Sequence, residues 1–464
     1  MSEGASERRR RRLGPWRNGL LAVAALLLLA LAALAIKVTT PPAPFPIPPD
    51  LALDYPQEKF DSPDNARHLY EQFYDLTRAA SRSLRIGFTD SKEFEWQGTE
   101  PNRWSSADCE SARRWVEAYQ PALALFREAT RKPYFVEAQG DLTLLLPHIG
   151  PATDLGKASV YEAELAFRDG DEARAVDAVL PVFVAAAQVT QYGPTISRLI
   201  GDALESIALR CIWLHLNDGR LQKFESLKRI AVALDALGRD RFLIADTFRV
   251  DYAINHRSLE KWARGKGQSE MMTELSSSEG EWERDVQVWL ELRLFYPRPL
   301  RNLQQYFRYR VHSVEGGLST ALQSETDDFS GIPRHMDIIT QILLPVTRRT
   351  VEKEATTNAE RRAVMSAVAA ARYRLAHGTF PDSGAALVPE FLPALPIDPF
   401  DGQSIRTKRD GDAFVIWCIG MDFKDGGGAV AIPRKDWLDG TVNGDLVWRL
   451  TASPAKTTAR RTGH

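Results

Sequence analysis

The residues best placed to do chemistry lie near the C-terminal end, where aspartates alternate with glycines: Asp398, Asp401, Asp422, Asp425 and Asp445, with Gly426, Gly427 and Gly428 between them. Carboxylates and backbone carbonyls on a glycine-rich loop are hard-oxygen donors, the kind calcium accepts in irregular coordination. The same residue types also close turns by bonding to nearby backbone amides. The pattern admits both readings.

Other chemistry has weaker support. There is no His-Glu-x-x-His, no Gly-x-Ser-x-Gly and no complete phosphate-binding loop, since Gly265-Lys266-Gly267 lacks its flanking glycine and hydroxyl residue. His68, His148, His215, His256, His312, His335 and His377 are spread over different segments. Cys109, Cys211 and Cys418 are three and far apart, which suggests isolated buried thiols rather than a disulfide framework or a zinc site. The expectation is a protein without catalysis, and an enzyme with a cleft in its helical part is the alternative.

The formal net charge of −2 is uneven. Residues 1 to 37 hold seven basic side chains (Arg8 to Arg12, Arg17, Lys37) against Glu3 and Glu7, so that segment is +5 and the rest −7. A mildly acidic body has no basic face to displace counterions from phosphates, so no nucleic-acid partner is expected. The basic segment runs into an uncharged apolar stretch, Gly19 to Ile36. As a helix its apolar part is about 26 Å long, slightly short of the bilayer's hydrocarbon core of roughly 30 Å. Residues 19–37 are therefore expected to span a lipid bilayer, with residues 1–18 cytoplasmic and the body extracytoplasmic, that is periplasmic. A cleaved secretory signal ending near Ala33-Leu34-Ala35 is the alternative.

Residues 38–61 form a proline-rich linker, Pro41 to Pro49 favouring an extended, semi-rigid spacer. A helix is expected to start at Ser62-Pro63, with Leu69, Tyr70, Phe73 and Leu76 on one stripe. Residues 62–345 read as a helical domain. Ser159–Arg168 and Glu172–Gln191 flank the turn Asp169-Gly170-Asp171, and Thr195–Leu216 follows Gly193-Pro194. That unit weakly resembles a tetratricopeptide-type repeat. No 34-residue period recurs, so an irregular bundle or solenoid is expected. Further helices are expected over 221–237, 240–263, 281–295, 300–311 and 337–344. Most of Trp262, Trp282, Trp289, Phe295, Tyr306, Phe307 and Tyr309 should be core, and Tyr306–Arg310 is where a protein partner's groove would be sought.

Residues 346–450 read as a small α+β module with an antiparallel sheet, and 451–464 as a disordered tail. An alanine-rich helix over 359–376 stops at Gly378-Thr-Phe-Pro381, and strands are expected at 404–408 and 413–419 around a glycine turn. The order Tyr373-Arg-Leu-x-x-Gly378-x-Phe-Pro381, Leu395-Pro-x-Asp398-Pro399, Gly420-x-Asp422, Asp425 with its glycines, and Asp445-x-x-Trp448 resembles the C-terminal domain of type II secretion major pseudopilins. The resemblance covers about a fifth of the chain. It implies calcium bound by the 422–445 loop, with Asp422 and Asp445 as side-chain ligands and Asp425 a further candidate. It also implies a secretion or envelope setting. The chain departs from the family in lacking an apolar helix directly before the module, so it is not expected to polymerise as a pilus subunit. The fold expected overall is mainly α, with a transmembrane helix, a helical body and the C-terminal α+β module. The expected role is that of a membrane-anchored, protein-binding assembly factor, with a calcium-dependent structural protein as the other alternative.

Overall fold

The computed structural model describes residues 21–37, 39–87, 103–144, 146–239, 243–265, 290–292, 294–324, 338–343, 347–429, 431–437 and 443–452. The chain is mainly helical and ends in a small antiparallel sheet. Helix α1, Leu21–Lys37, is apolar along its length, and Leu21, Leu26, Leu27, Leu28, Leu29, Leu31 and Ile36 are all exposed. A contiguous apolar surface of that kind belongs in lipid rather than water. Among the described residues α6, Glu172–Thr190, is the helix both long and apolar enough to cross a membrane, but Val176, Val179, Val182 and Phe183 are buried against neighbouring helices. It is a core helix of the body, whereas α1 is a shorter apolar helix with its side chains exposed.

The proline-rich segment is extended as expected, yet it is docked on the body instead of standing free. Phe45 is held at both backbone groups: its N–H donates to Glu260 Oε1 at 2.8 Å and its carbonyl lies 2.6 Å from His256 Nε2. Asp50 pairs with Arg308, Leu51 is buried, and the Tyr55 hydroxyl donates to the Glu137 carbonyl. Apolar Phe45 and Ile47, interleaved with the prolines, pack against the core and tie the strap down.

After the one-turn helix α2 (Gln57–Phe60), α3 (Arg67–Gly87) begins later than Ser62-Pro63. Buried Asn65 sets that start: its Oδ1 accepts from Arg67 N–H and Val136 N–H, and its Nδ2 donates to the Phe60 and Val136 carbonyls. Tyr70 and Phe73 are fully buried, as their stripe requires. α4 (Ser106–Ala129) opens with a capping box between Ser105 and Asp108.

The turn at Asp169-Gly170-Asp171 forms as read between two helices, but the first of them starts ten residues before Ser159. α5 (Ile149–Arg168) ends at Gly170, whose φ of +79° suits glycine, and the Asp171 carboxylate caps Arg174 N–H at the start of α6. α7 (Thr195–Asn217) then packs closely on α5 and α6. Gly201 permits that approach, because a Cβ there would sit 2.7 Å from the Ala186 carbonyl oxygen. α8 (Phe224–Arg239), α9 (Ile244–Ala263), α10 (Arg298–Glu315), α11 (Leu318–Gln323) and α12 (Ile338–Leu343) follow. The helix expected over 281–295 lies largely outside the described residues.

Asp251 of α9 caps α7, accepting from Thr195 N–H at 3.0 Å and from the Thr195 hydroxyl. Burial pushes its carboxyl up to about 6. The folded chain therefore holds this proton more tightly than the unfolded chain, whose Asp titrates near ~3.9. The resulting stability is complete below about 4 and is lost as pH rises through about 6. Relative to Asp251→Asn, the wild type should lose roughly 2–3 kcal/mol between pH 4 and pH 7.5, read from unfolding curves at both pH values.

α13 (Thr347–His377) starts twelve residues before the alanine-rich run and ends at Gly378, φ +81°. Its charged first half is buried rather than solvated, lying against α7 and α8. Arg198 pairs with Glu354 at 3.2 Å and Glu205 with Arg361 at 3.2 Å, the two pairs spaced alike along both helices, which therefore run parallel. Asn358 links them, donating to Glu354 Oε1 and accepting from Arg361. The second half of α13 packs on the sheet, β1 (Arg406–Asp410), β2 (Ala413–Cys418) and β3 (Leu446–Thr451), in the order β1-β2-β3. The β1–β2 hairpin turns at Gly411, φ +60°. β1 lies two residues later than expected.

Candidate functional site

The 422–445 loop is closed by its own aspartates. Buried Asp445 accepts from Gly426 N–H at 3.1 Å and Gly428 N–H at 2.7 Å. Asp422 accepts from Lys424 N–H and Gly444 N–H. Asp425 accepts from Trp417 Nε1–H, Gly427 N–H and Arg406. Arg406 also pairs with Asp401 and with buried Asp398, tying the Leu-Pro-Ile-Asp-Pro turn to the loop. Burial raises the Asp445 carboxyl, and the Asp425 and Asp422 charges add to that rise against the two glycine amides. Burial opposes ionisation of Asp425 too, but its Trp417, Gly427 and Arg406 donors hold it below the usual carboxylate range.

Asp422, Asp425 and Asp445 are thus brought to one loop, yet every one of their carboxylate oxygens already takes an N–H donor. Among the described residues they do not form a group of three with ligand atoms within 4.8 Å of one another. The calcium implied by the resemblance therefore has no ready-made cage from these three side chains. Asp445→Ala leaves the Gly426 and Gly428 amides without their buried acceptor, which should cost about 1–3 kcal/mol. Thermal unfolding of both forms in calcium and in chelator checks this. A calcium-dependent rise in the wild type that Asp445→Ala abolishes would show that the carboxylate also serves an ion.

A second convergence involves residues that looked unrelated in the sequence. Cys211 and His215 are four apart on α7, on one helical face, and Glu164 of α5 projects between them. Their ligand atoms lie within 4.8 Å of one another, and all three residues are buried. His215 Nε2 is 2.6 Å from Glu164 Oε2, and its Nδ1 is 3.2 Å from Asp218 Oδ2. The Phe167 ring stacks on the imidazole with centroids 4.0 Å apart, covering it with apolar surface. Although burial opposes charge on His215, its contacts with Asp218 and Glu164 raise its pKa. Burial and the Glu164 carboxylate push the Cys211 thiol well up.

The expectation of isolated thiols fails at Cys211. The Cys-x-x-x-His spacing on a helix was visible in the sequence; the glutamate from the preceding helix was not. Cys109 and Cys418 are buried and free. Tyr306–Arg310 is no partner groove, because Tyr306, Phe307 and Arg310 are buried in the core. Trp262 is core as expected, Phe295 is exposed instead, and Trp282 and Trp289 lie outside the described residues.

No family model, curated protein or solved structure matches this chain.

Proposed function

We propose that this protein is a membrane-anchored, non-catalytic assembly factor whose body and pseudopilin-like module are displayed on the extracytoplasmic side. The observation that carries the reading is the short connection between anchor and body. α1 ends at Lys37 and the strap is already hydrogen-bonded to α9 at Phe45. The eight steps from Lys37 to Phe45 span at most about 29 Å, so the body is kept within that distance of the bilayer surface. Arg8 to Arg12 before α1 favour a cytoplasmic N-terminus.

Two further observations support assembly without polymerisation. α13, which leads into the sheet, is buried along most of its length against α7, α8 and β2, which leaves little of it to pack along a fibre. An apolar groove of about 190 Å³ between α6 and α8, lined by Phe183, Val184, Ala187, Ala233 and Ala236, offers a partner surface. Val184 is exposed at its edge.

Crosslinked pull-down from membranes, combined with protease access from the outer face, tests the reading. The expected result is digestion of the body from outside and recovery of envelope or secretion components, with yield reduced by Val184→Glu. A protected body, or the protein in sheared surface filaments, would overturn it.

A further inference from the structure

We propose that Glu164, Cys211 and His215 form a buried zinc site joining α5 to α7, independent of the membrane role above. The donor set is the first argument. A thiolate, an imidazole and one carboxylate form a borderline-soft set that suits zinc and excludes calcium or magnesium as the preferred ion.

The geometry is the second. In a tetrahedral zinc site, ligands about 2.0–2.3 Å from the ion lie roughly 3.3–3.7 Å from each other. The three donor atoms here are all within 4.8 Å of one another, and the closest pair, His215 Nε2 and Glu164 Oε2, is 2.6 Å apart. Opening that pair by roughly 0.7 Å brings it to the ligand spacing of such a site. Three protein ligands leave the fourth position to water, and Phe167 closes the imidazole's face.

The third argument is the second carboxylate. Metal-bound histidines usually donate their other ring N–H to a carboxylate, which fixes the tautomer and orientation. Asp218 stands 3.2 Å from His215 Nδ1 and does this, leaving the Nε2 lone pair for the ion. Asp218 is therefore a positioning residue and not a ligand. Both ligands on α7 come from one face, Cys211 one turn before His215, so a single helix presents them in fixed relation while α5 brings Glu164. Ion entry displaces the thiol proton and the proton between His215 and Glu164 to solvent. The competing arrangement is a hydrogen-bonded imidazolium between Glu164 and Asp218, which needs no ion.

The test uses the full chain, produced in medium containing zinc or cobalt(II) and purified in detergent without chelator. The expected result is one equivalent of metal by elemental analysis and, for cobalt, a thiolate-to-metal charge-transfer band. Cys211→Ser should abolish the band while retaining the helical circular dichroism, and Cys109→Ser and Cys418→Ser should keep it. Asp218→Asn should retain binding with an affinity lowered about 10–100-fold. A wild-type chain that carries no metal overturns the proposal, as does a cobalt–thiolate band that survives Cys211→Ser. If Cys211→Ser fails to fold, the metal content and thiolate band of the wild type, with the two control cysteine variants, still decide the matter.

Discussion

Replacing Arg198 by methionine destabilises the full chain in detergent by about 3–5 kcal/mol, read as a large drop in the unfolding midpoint. The guanidinium is fully buried and lies 3.2 Å from Glu354 and 3.2 Å from the Thr247 hydroxyl. Removing it takes the opposing charge from a carboxylate that is itself nearly out of water. Desolvating a charge is expensive, and the mutual attraction of the pair is what offsets that cost. A second substitution discriminates the cause: Arg198→Met combined with Glu354→Leu removes both charges and should recover most of the loss. Equal destabilisation of the single and double variants would assign the effect to packing instead. The paired Glu205–Arg361 contact lies farther along the same two helices, so the interface between α7 and α13 holds the C-terminal sheet to the helical body through matched charges.

Arginine at both Leu26 and Leu29 releases the protein from the membrane. On an insertion scale each central arginine costs about 2.5–3.5 kcal/mol, so the pair opposes insertion by roughly 5–7 kcal/mol. The apolar helix is already slightly short of the hydrocarbon thickness, and the longer apolar helix α6 is buried in the body, so neither offsets the added charge. Alkaline extraction should leave the wild type in the pellet and the double variant in the supernatant, whereas Leu26→Ile with Leu29→Val stays with the membrane. A wild type already soluble after export would mean that the segment is a cleaved signal.

Much of the local structure was legible because it depends on neighbours in sequence. Gly170 and Asp171 mark the end of one helix and the cap of the next, and α5 and α6 meet there as read. Gly378 and Pro381 mark the end of α13, and Gly411 marks the hairpin. The start of α13 was not legible, because residues 348–362 are highly charged and show no apolar stripe. Its burial depends on Arg198 and Glu205, some hundred and fifty positions away, supplying opposite charges. The strap shows the same limit: proline content specifies its extended backbone, but its docking depends on His256 and Glu260 meeting Phe45.

The chain's own order of residues determined the apolar helix α1, the helix-turn-helix unit and the turn-rich C-terminal module, since each rests on periodicity, capping or turn chemistry within a few residues. Only the tertiary structure decided which polar groups share a low-dielectric interior. It engaged the predicted aspartates with backbone amides and brought Glu164 to Cys211 and His215. The physical reason is that a local pattern follows from backbone geometry alone, whereas charge pairing and ligand convergence require distant segments to arrive within a few ångströms.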